Sequence, residues 1–237
     1  MTSRNAAFHE GVLAGVLLSP LKLAFSLTLG LVMILLCAWV IDWLLVFKFW
    51  AQGIERLRAL LTDDLAQGIA IAAKQGGRAS SIIAPANALY AIVFEATGIH
   101  DMGDQFADRS ALSIPDTIVR RGYVSHRLEI ETAMLGTQLL GVRVAILVRF
   151  MPILLLMYAV GAAEGLTRRA VRRSCGGRES ASLYHRAKYL QLVVLGLGGL
   201  ILLLYPVALQ WQLCVALGAL LTSGLASVQW AFYKKHI

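Results

Sequence analysis

Residues 139–160 read LLGVRVAILVRFMPILLLMYAV, and the segment 161–189 that follows carries seven Lys and Arg residues against two acids. A helix needs about 20 apolar residues to cross a bilayer core about 30 Å thick. Cytoplasmic loops of membrane proteins carry an excess of Lys and Arg. The two segments together therefore predict a transmembrane helix that ends at a cytosolic surface.

Three more stretches have the length and composition of a membrane span: 21–46, 190–209 and 213–233. The whole chain is 58% hydrophobic and 15% charged, and its mean hydropathy is +0.68. Soluble domains carry about a quarter of their residues as charged side chains. The predicted fold class is all-α: a polytopic membrane protein with four transmembrane helices and a small helical extracytoplasmic segment.

The positive excess also orients the chain. The turn at 210–212 holds no basic residue, whereas the C-terminal tail adds Lys234 and Lys235. We therefore expect a multi-pass protein of the bacterial inner membrane with both termini in the cytosol. The predicted divisions are a cytoplasmic or interfacial segment (1–20), transmembrane helix 1 (21–46), a helical periplasmic segment (47–138), transmembrane helix 2 (139–160), a basic cytoplasmic loop (161–189), transmembrane helix 3 (190–209), transmembrane helix 4 (213–233) and a cytoplasmic tail (234–237).

The periplasmic segment shows helical rather than strand-like patterning. Apolar residues recur at 54, 57, 61, 65, 69 and 72, which predicts an amphipathic helix that ends near Gly76 and Gly77. The stretch 82–99 is mostly apolar and predicts a buried or interfacial helix, with a further span as the alternative. We expect these helices to form a layer resting on the bilayer.

Besides Lys22 at the start of the first predicted span, three charged residues fall inside the first two spans: Asp42, Arg143 and Arg149. A charge at mid-membrane costs about 2.5–3.5 kcal/mol on insertion scales. Pairing Asp42 with Arg143 or Arg149 would offset this cost and predicts an intramembrane ion pair. The alternative for Arg143 is that its side chain reaches up to the headgroups.

Small residues are spaced for close helix packing in the last two spans. They are Gly196, Gly198 and Gly199 in the third, and Gly218, Thr222 and Ala226 in the fourth. Such faces let transmembrane helices approach one another closely.

The sequence indicates no catalytic residue, metal site or cofactor. No histidine lies in a predicted span, so an intramembrane hydrolase lacks its base. Glu129 and Glu131 are two positions apart and point to different faces of a helix. The three cysteines have no metal-ligand spacing.

Four arginines form a stripe just after the second span: Arg168, Arg169, Arg172 and Arg173. At i, i+1, i+4 and i+5 they share one face of a helix that continues from the span. With Arg178 and His185 they make up a predicted binding surface for a partner or a lipid. The stripe can set topology, bind anionic lipids, or dock an acidic partner or nucleic acid.

The same region carries a family resemblance. The runs GLTRRAVRRSCGGRES at 165–180 and LYHRAK at 183–188 resemble the signature of the integrating conjugative element membrane protein family. Proteins of that family are encoded beside TraD-type coupling ATPases. The resemblance implies a non-catalytic inner-membrane component of a conjugative type IV secretion system that scaffolds or recruits the coupling ATPase for DNA transfer. The implied partners are that ATPase and other inner-membrane subunits of the system, while direct DNA contact and homo-oligomer formation stay open.

A small oligomeric channel or transporter is the alternative function. It requires a polar face along the third or fourth span. The sequence offers Thr222, Ser223, Ser227 and Gln229 for that face.

Overall fold

The computed structural model describes residues 3–102, 114–175 and 181–233. Within these ranges the secondary structure is helical, without strands. The helices are α1 (Ser3–Leu44), α2 (Ile54–Lys74), α3 (Ser80–Tyr90), α4 (Ile114–Ser125), α5 (Arg127–Ser174), α6 (Ala181–Leu204) and α7 (Trp211–Ala231), with π-helical turns at Leu45–Phe49 and Ala91–Glu95.

Four helical stretches are long and apolar enough to cross a membrane, as the sequence predicted. They are Lys22–Phe49, Arg127–Ser174, Ser182–Leu204 and Trp211–Ala231. The all-α polytopic fold class is therefore confirmed. The first of these stretches belongs to an unbroken helix that begins at Ser3, so the helix continues through the described part of the predicted segment 1–20.

Helix α5 is the central element, and α1, α2, α3, α6 and α7 all pack on it. It runs 48 residues, well past the predicted end at 160, so most of the predicted basic loop is helical. Helix α7 lies closest to it, because Gly161 and Gly165 of α5 meet backbone oxygens of Ser223 and Ser227. A Cβ atom at either glycine would collide with that backbone, which is how small residues permit close helix packing.

The small residues singled out in the last two spans have two different fates. Thr222 and Ala226 are buried, as expected for a packing face. Gly196, Gly198 and Gly199 of α6 and Gly218 of α7, in contrast, have open space where a Cβ atom would stand. The close contact is thus made by glycines of α5, which lies at the centre of the bundle and has neighbours on several sides.

Helices α2 and α3 form a hairpin that packs against α5. The chain reverses at Gly76, whose φ of 70° favours glycine. The start of α2 at Leu57 clusters with Leu139, whereas the turn at Gly77 lies beside Arg149. Along α5 the turn therefore lies about 15 Å closer to the basic end of the bundle than the start of α2 does.

The hairpin packs into the protein core. Ile82 and Ala86 of α3 are buried, and Ile82 packs beside Ile146 of α5. A Cβ atom at Gly141 would approach the Cα atom of Ala86 to 2.7 Å. One face of this stretch, at Ile82, Ala86 and Phe94, is therefore buried in protein, and the helical part Ser80–Glu95 is shorter than the four candidate spans.

Helix α6 ends at Leu204, five residues before the predicted end of the third span at 209. Pro206 accounts for the early end, because proline lacks an N–H and disfavours the helical conformation in the residue before it. Residues 205–210 then form an irregular connection to α7.

Candidate functional site

Arg143 of α5 is fully buried and makes a dense set of polar contacts. Its Nε donates to Oδ2 of Asp64 on α2 at 2.7 Å, and the two side chains are 1% and 0% exposed. Its Nη1 donates to the carbonyl oxygens of Leu203 at 3.2 Å and Tyr205 at 2.6 Å, and its Nη2 to that of Val207 at 3.3 Å. The guanidinium thus forms an ion pair with α2. It also donates hydrogen bonds to carbonyl oxygens at the end of α6 and in the irregular connection, which have no partner within a helix.

Trp211 completes this buried group. Its indole Nε1 donates to Oδ1 of Asp64 at 3.1 Å, so both carboxylate oxygens of Asp64 have a donor. We call Asp64, Arg143 and Trp211 the buried network. It joins α2, α5 and the start of α7, three elements far apart in the chain.

The structure corrects the predicted pairing of Asp42. The ion pair of Arg143 is with Asp64, and Arg149 donates instead to Oγ of Ser81 at 2.7 Å. Asp42 lines the same small cavity as Arg143 and lies against Gly136, and no ion pair of Asp42 is present among the described residues. Asp64 forms the ion pair because α2 packs on the side of α5 that carries Arg143.

Sequence analysis missed Asp64 because it placed the buried face of α2 one position off. The buried residues of α2 are Leu57, Leu60, Asp64, Gly68, Ile71 and Ala72. An acid on this stripe, at helical spacing between apolar residues, is the signal that identifies it. A buried acid needs a cation or several donors, so the stripe points to a partner arginine.

The basic stripe lies at the far end of α5, which we call the basic end. Arg172 contacts the C-terminal end of α7, with its guanidinium 3.9 Å from the ring centroid of Phe232 and its Nη2 donating to the carbonyl of Ala231 at 3.1 Å. The guanidinium of Arg169 lies 5.5 Å from the ring centroid of Tyr233. Both cations therefore stabilise the negative end of the α7 dipole.

The other predicted residues of this surface differ in exposure. Arg168 is 61% exposed and pairs with Glu164 one turn earlier at 2.5 Å. Arg173 and His185 are exposed, and the ring of His185 contacts that of Tyr184. Arg178 lies outside the described residues.

Of the four polar residues considered for a channel face, Thr222 and Ser227 are buried, whereas Ser223 and Gln229 are partly exposed. Thr222 and Ser227 are 2% and 3% exposed and lie on the side of α7 that contacts α5. These two hydroxyls therefore face the protein interior.

Comparison with known proteins finds a family whose model matches most of the sequence. The family model that describes the DtrJ-like proteins, IncC plasmid conjugative DNA transfer proteins, matches residues 49–234. The match contains the buried network and the basic stripe, and Asp42 falls outside it. No curated protein and no solved structure matches the chain.

Proposed function

This chain belongs to the DtrJ-like family of IncC plasmid conjugative DNA transfer proteins, and from that premise we propose that it is a non-catalytic membrane component of a conjugative type IV secretion system. In this role it scaffolds or recruits the coupling ATPase. The membership supports a part in conjugative DNA transfer, and the four apolar helices support a place in a membrane. The ATPase as partner, the inner membrane and the orientation are our proposal.

The observation that carries the docking role is the rigid basic end. Helix α5 continues without a break to Ser174, so its arginines project from a helix that the bundle holds in place. Contacts with Phe232 and Tyr233 fix Arg172 and Arg169. The exposed Arg168 and Arg173 are then presented from a fixed backbone, so that only their side chains lose freedom when an acidic partner binds.

The proposed orientation of the chain in the membrane rests on the excess of Lys and Arg at the basic end. The positive-inside rule places the basic end in the cytosol, where a coupling ATPase has its catalytic domain. The exposed arginines then form the cationic patch that a negatively charged patch on the ATPase would meet. Other type IV secretion subunits of the inner membrane would contact the apolar surfaces of α1 and α6, and anionic lipids would share the basic end.

Charge reversal at the exposed arginines tests this proposal. The double substitution Arg168→Glu with Arg173→Glu leaves Arg169 and Arg172 on the end of α7. We expect loss of co-purification with the ATPase and a drop in transfer frequency of roughly tenfold or more, because one interfacial charge pair is worth at least about 1.5 kcal/mol.

The matched control is Arg120→Glu with Arg121→Glu on α4, at the other end of the bundle. It makes the same change in net charge and is expected to leave co-purification intact. Both variants are compared at equal amounts in the membrane fraction. Wild-type transfer and co-purification in the Arg168 and Arg173 variant would refute the docking role.

A further inference from the structure

An open groove of about 710 Å³ lies where the turn between α2 and α3 meets α5. Its walls come from Gln75, Ser81 and Pro85 on the hairpin and from Val148, Arg149 and Ile153 on α5. The groove therefore combines an apolar surface with one arginine and two polar side chains.

Arg149 is the charged group of this groove, and its surroundings differ from those of Arg143. It is half-buried and donates to the Ser81 hydroxyl at 2.7 Å, but no carboxylate pairs with it in the part of the chain that the structure describes. Gly77 gives it room, since a Cβ atom there would collide with the guanidinium. The structure thus holds a cation in place without neutralising it.

Two more cations flank the turn. Lys74 ends α2 and Arg78 follows Gly77, and both side chains are exposed. Neither forms an ion pair with a described residue. The mouth of the groove is therefore net positive.

Measured along α5, the groove lies about one bilayer thickness away from the basic end, which suits contact with headgroups of the opposite leaflet. Arg168 follows Arg149 by 19 residues on α5, which is about 28 Å at 1.5 Å per residue and close to the thickness of a bilayer core. Between these two arginines Glu164 is the one charged side chain. Helix α2 also exposes Glu55, Arg58 and Asp63, so its outer face is in water and not in lipid.

We propose that this groove binds a glycerophospholipid with an anionic headgroup. Its phosphate contacts Arg149 and the Ser81 hydroxyl, because a guanidinium offers paired N–H donors that match phosphate oxygens. Its acyl chain lies along Pro152 and Ile153, which line the groove toward the apolar part of α5. A free anion would leave this apolar wall uncovered, and a zwitterionic lipid would bring its own cation to a positive mouth.

Native mass spectrometry of the purified full-length protein in mild detergent tests the proposal. The probes are dioleoyl phosphatidylglycerol and dioleoyl phosphatidylethanolamine, which share their acyl chains. We expect saturable retention of phosphatidylglycerol and a dissociation constant five- to tenfold weaker for Arg149→Gln, since one cation at a lipid surface and its hydrogen bond are lost. Arg121→Gln, an exposed arginine of α4, removes the same charge elsewhere and is expected to change nothing.

Two further variants keep the test decisive if Arg149→Gln does not fold. Arg149→Lys keeps the charge but loses the paired donors, and Ser81→Ala removes one contact, so each is expected to weaken retention less than Arg149→Gln would. Unchanged affinity in both would overturn the site. So would equal retention of phosphatidylethanolamine, an equal loss in Arg121→Gln, or complete displacement of the lipid by excess inorganic phosphate.

Discussion

Replacing Asp64 by leucine removes the acid of the buried network and leaves Arg143 charged and without its carboxylate. Both side chains are almost fully buried, so water cannot replace the lost partner. Breaking a buried ion pair by removing one member costs about 3–5 kcal/mol. Trp211 also loses its acceptor, which adds about 1 kcal/mol.

The expected order of stability follows from what each variant leaves unpaired. Arg143→Met is the most damaging, because it strands the Asp64 charge and also the carbonyls of Leu203 and Val207. Asp64→Leu comes next, and Asp64→Asn is milder since an amide oxygen still accepts from Arg143. The combined Asp64→Leu and Arg143→Met variant is expected to lose far less than the sum of the single variants, because neither charge is then left alone.

Unfolding in mild detergent, followed by tryptophan fluorescence against added denaturing detergent or temperature, measures these differences. A loss of about 4 kcal/mol corresponds to a fall in midpoint of roughly 10 °C for a chain of this size. Asp63→Asn is the matched control, since Asp63 is the exposed neighbour of Asp64 on the same helix. It is expected to stay within about 0.5 kcal/mol of the parent.

Two outcomes would refute the reasoning. If Asp64→Leu unfolds at the same denaturant concentration as Asp63→Asn, the ion pair contributes nothing to the fold. If the losses of Asp64→Leu and Arg143→Met simply add in the combined variant, the two residues do not act on one another.

Two more predictions concern packing and orientation. Gly161→Leu is expected to lower the free energy of unfolding by roughly 1–3 kcal/mol, because overpacking forces α5 and α7 apart. Gly196→Leu is the control, at a glycine with open space around it, and is expected to change the free energy of unfolding by no more than about 0.5 kcal/mol. Cys175 is exposed beside the basic end. A membrane-impermeant maleimide is therefore expected to label it in inside-out vesicles and not in intact spheroplasts, with Cys175→Ser as the control. Labelling of Cys175 in intact spheroplasts would overturn the proposed orientation.

Much of the fold could be predicted from local sequence. A run of about 20 apolar residues has no stable place in water, so the four spans and the all-α class follow from composition and length alone. The break after Leu204 also has a local cause, because Pro206 cannot continue the helix hydrogen bonds. The part in conjugation that the signature at 165–188 implied agrees with the family match, while the docking role of its arginines stays a prediction.

The buried network shows where local sequence stops being informative. The pattern of α2 identified a helix, but a shift of one position in its buried face decides whether Asp64 points to protein or to water. Asp42 and Asp64 are both acids near the same arginine, and the choice between them depends on how the hairpin packs against α5. That packing brings together residues 79 positions apart.

What the sequence by itself determined is how many helices lie in apolar surroundings and which end of the bundle is basic, because hydrophobicity and charge are properties of single segments. What only the tertiary structure decided is which of the buried and half-buried charges are neutralised: Arg143 is paired with Asp64, whereas Arg149 is paired with no described acid. Pairing depends on distances between segments, and the packing of whole helices sets those distances.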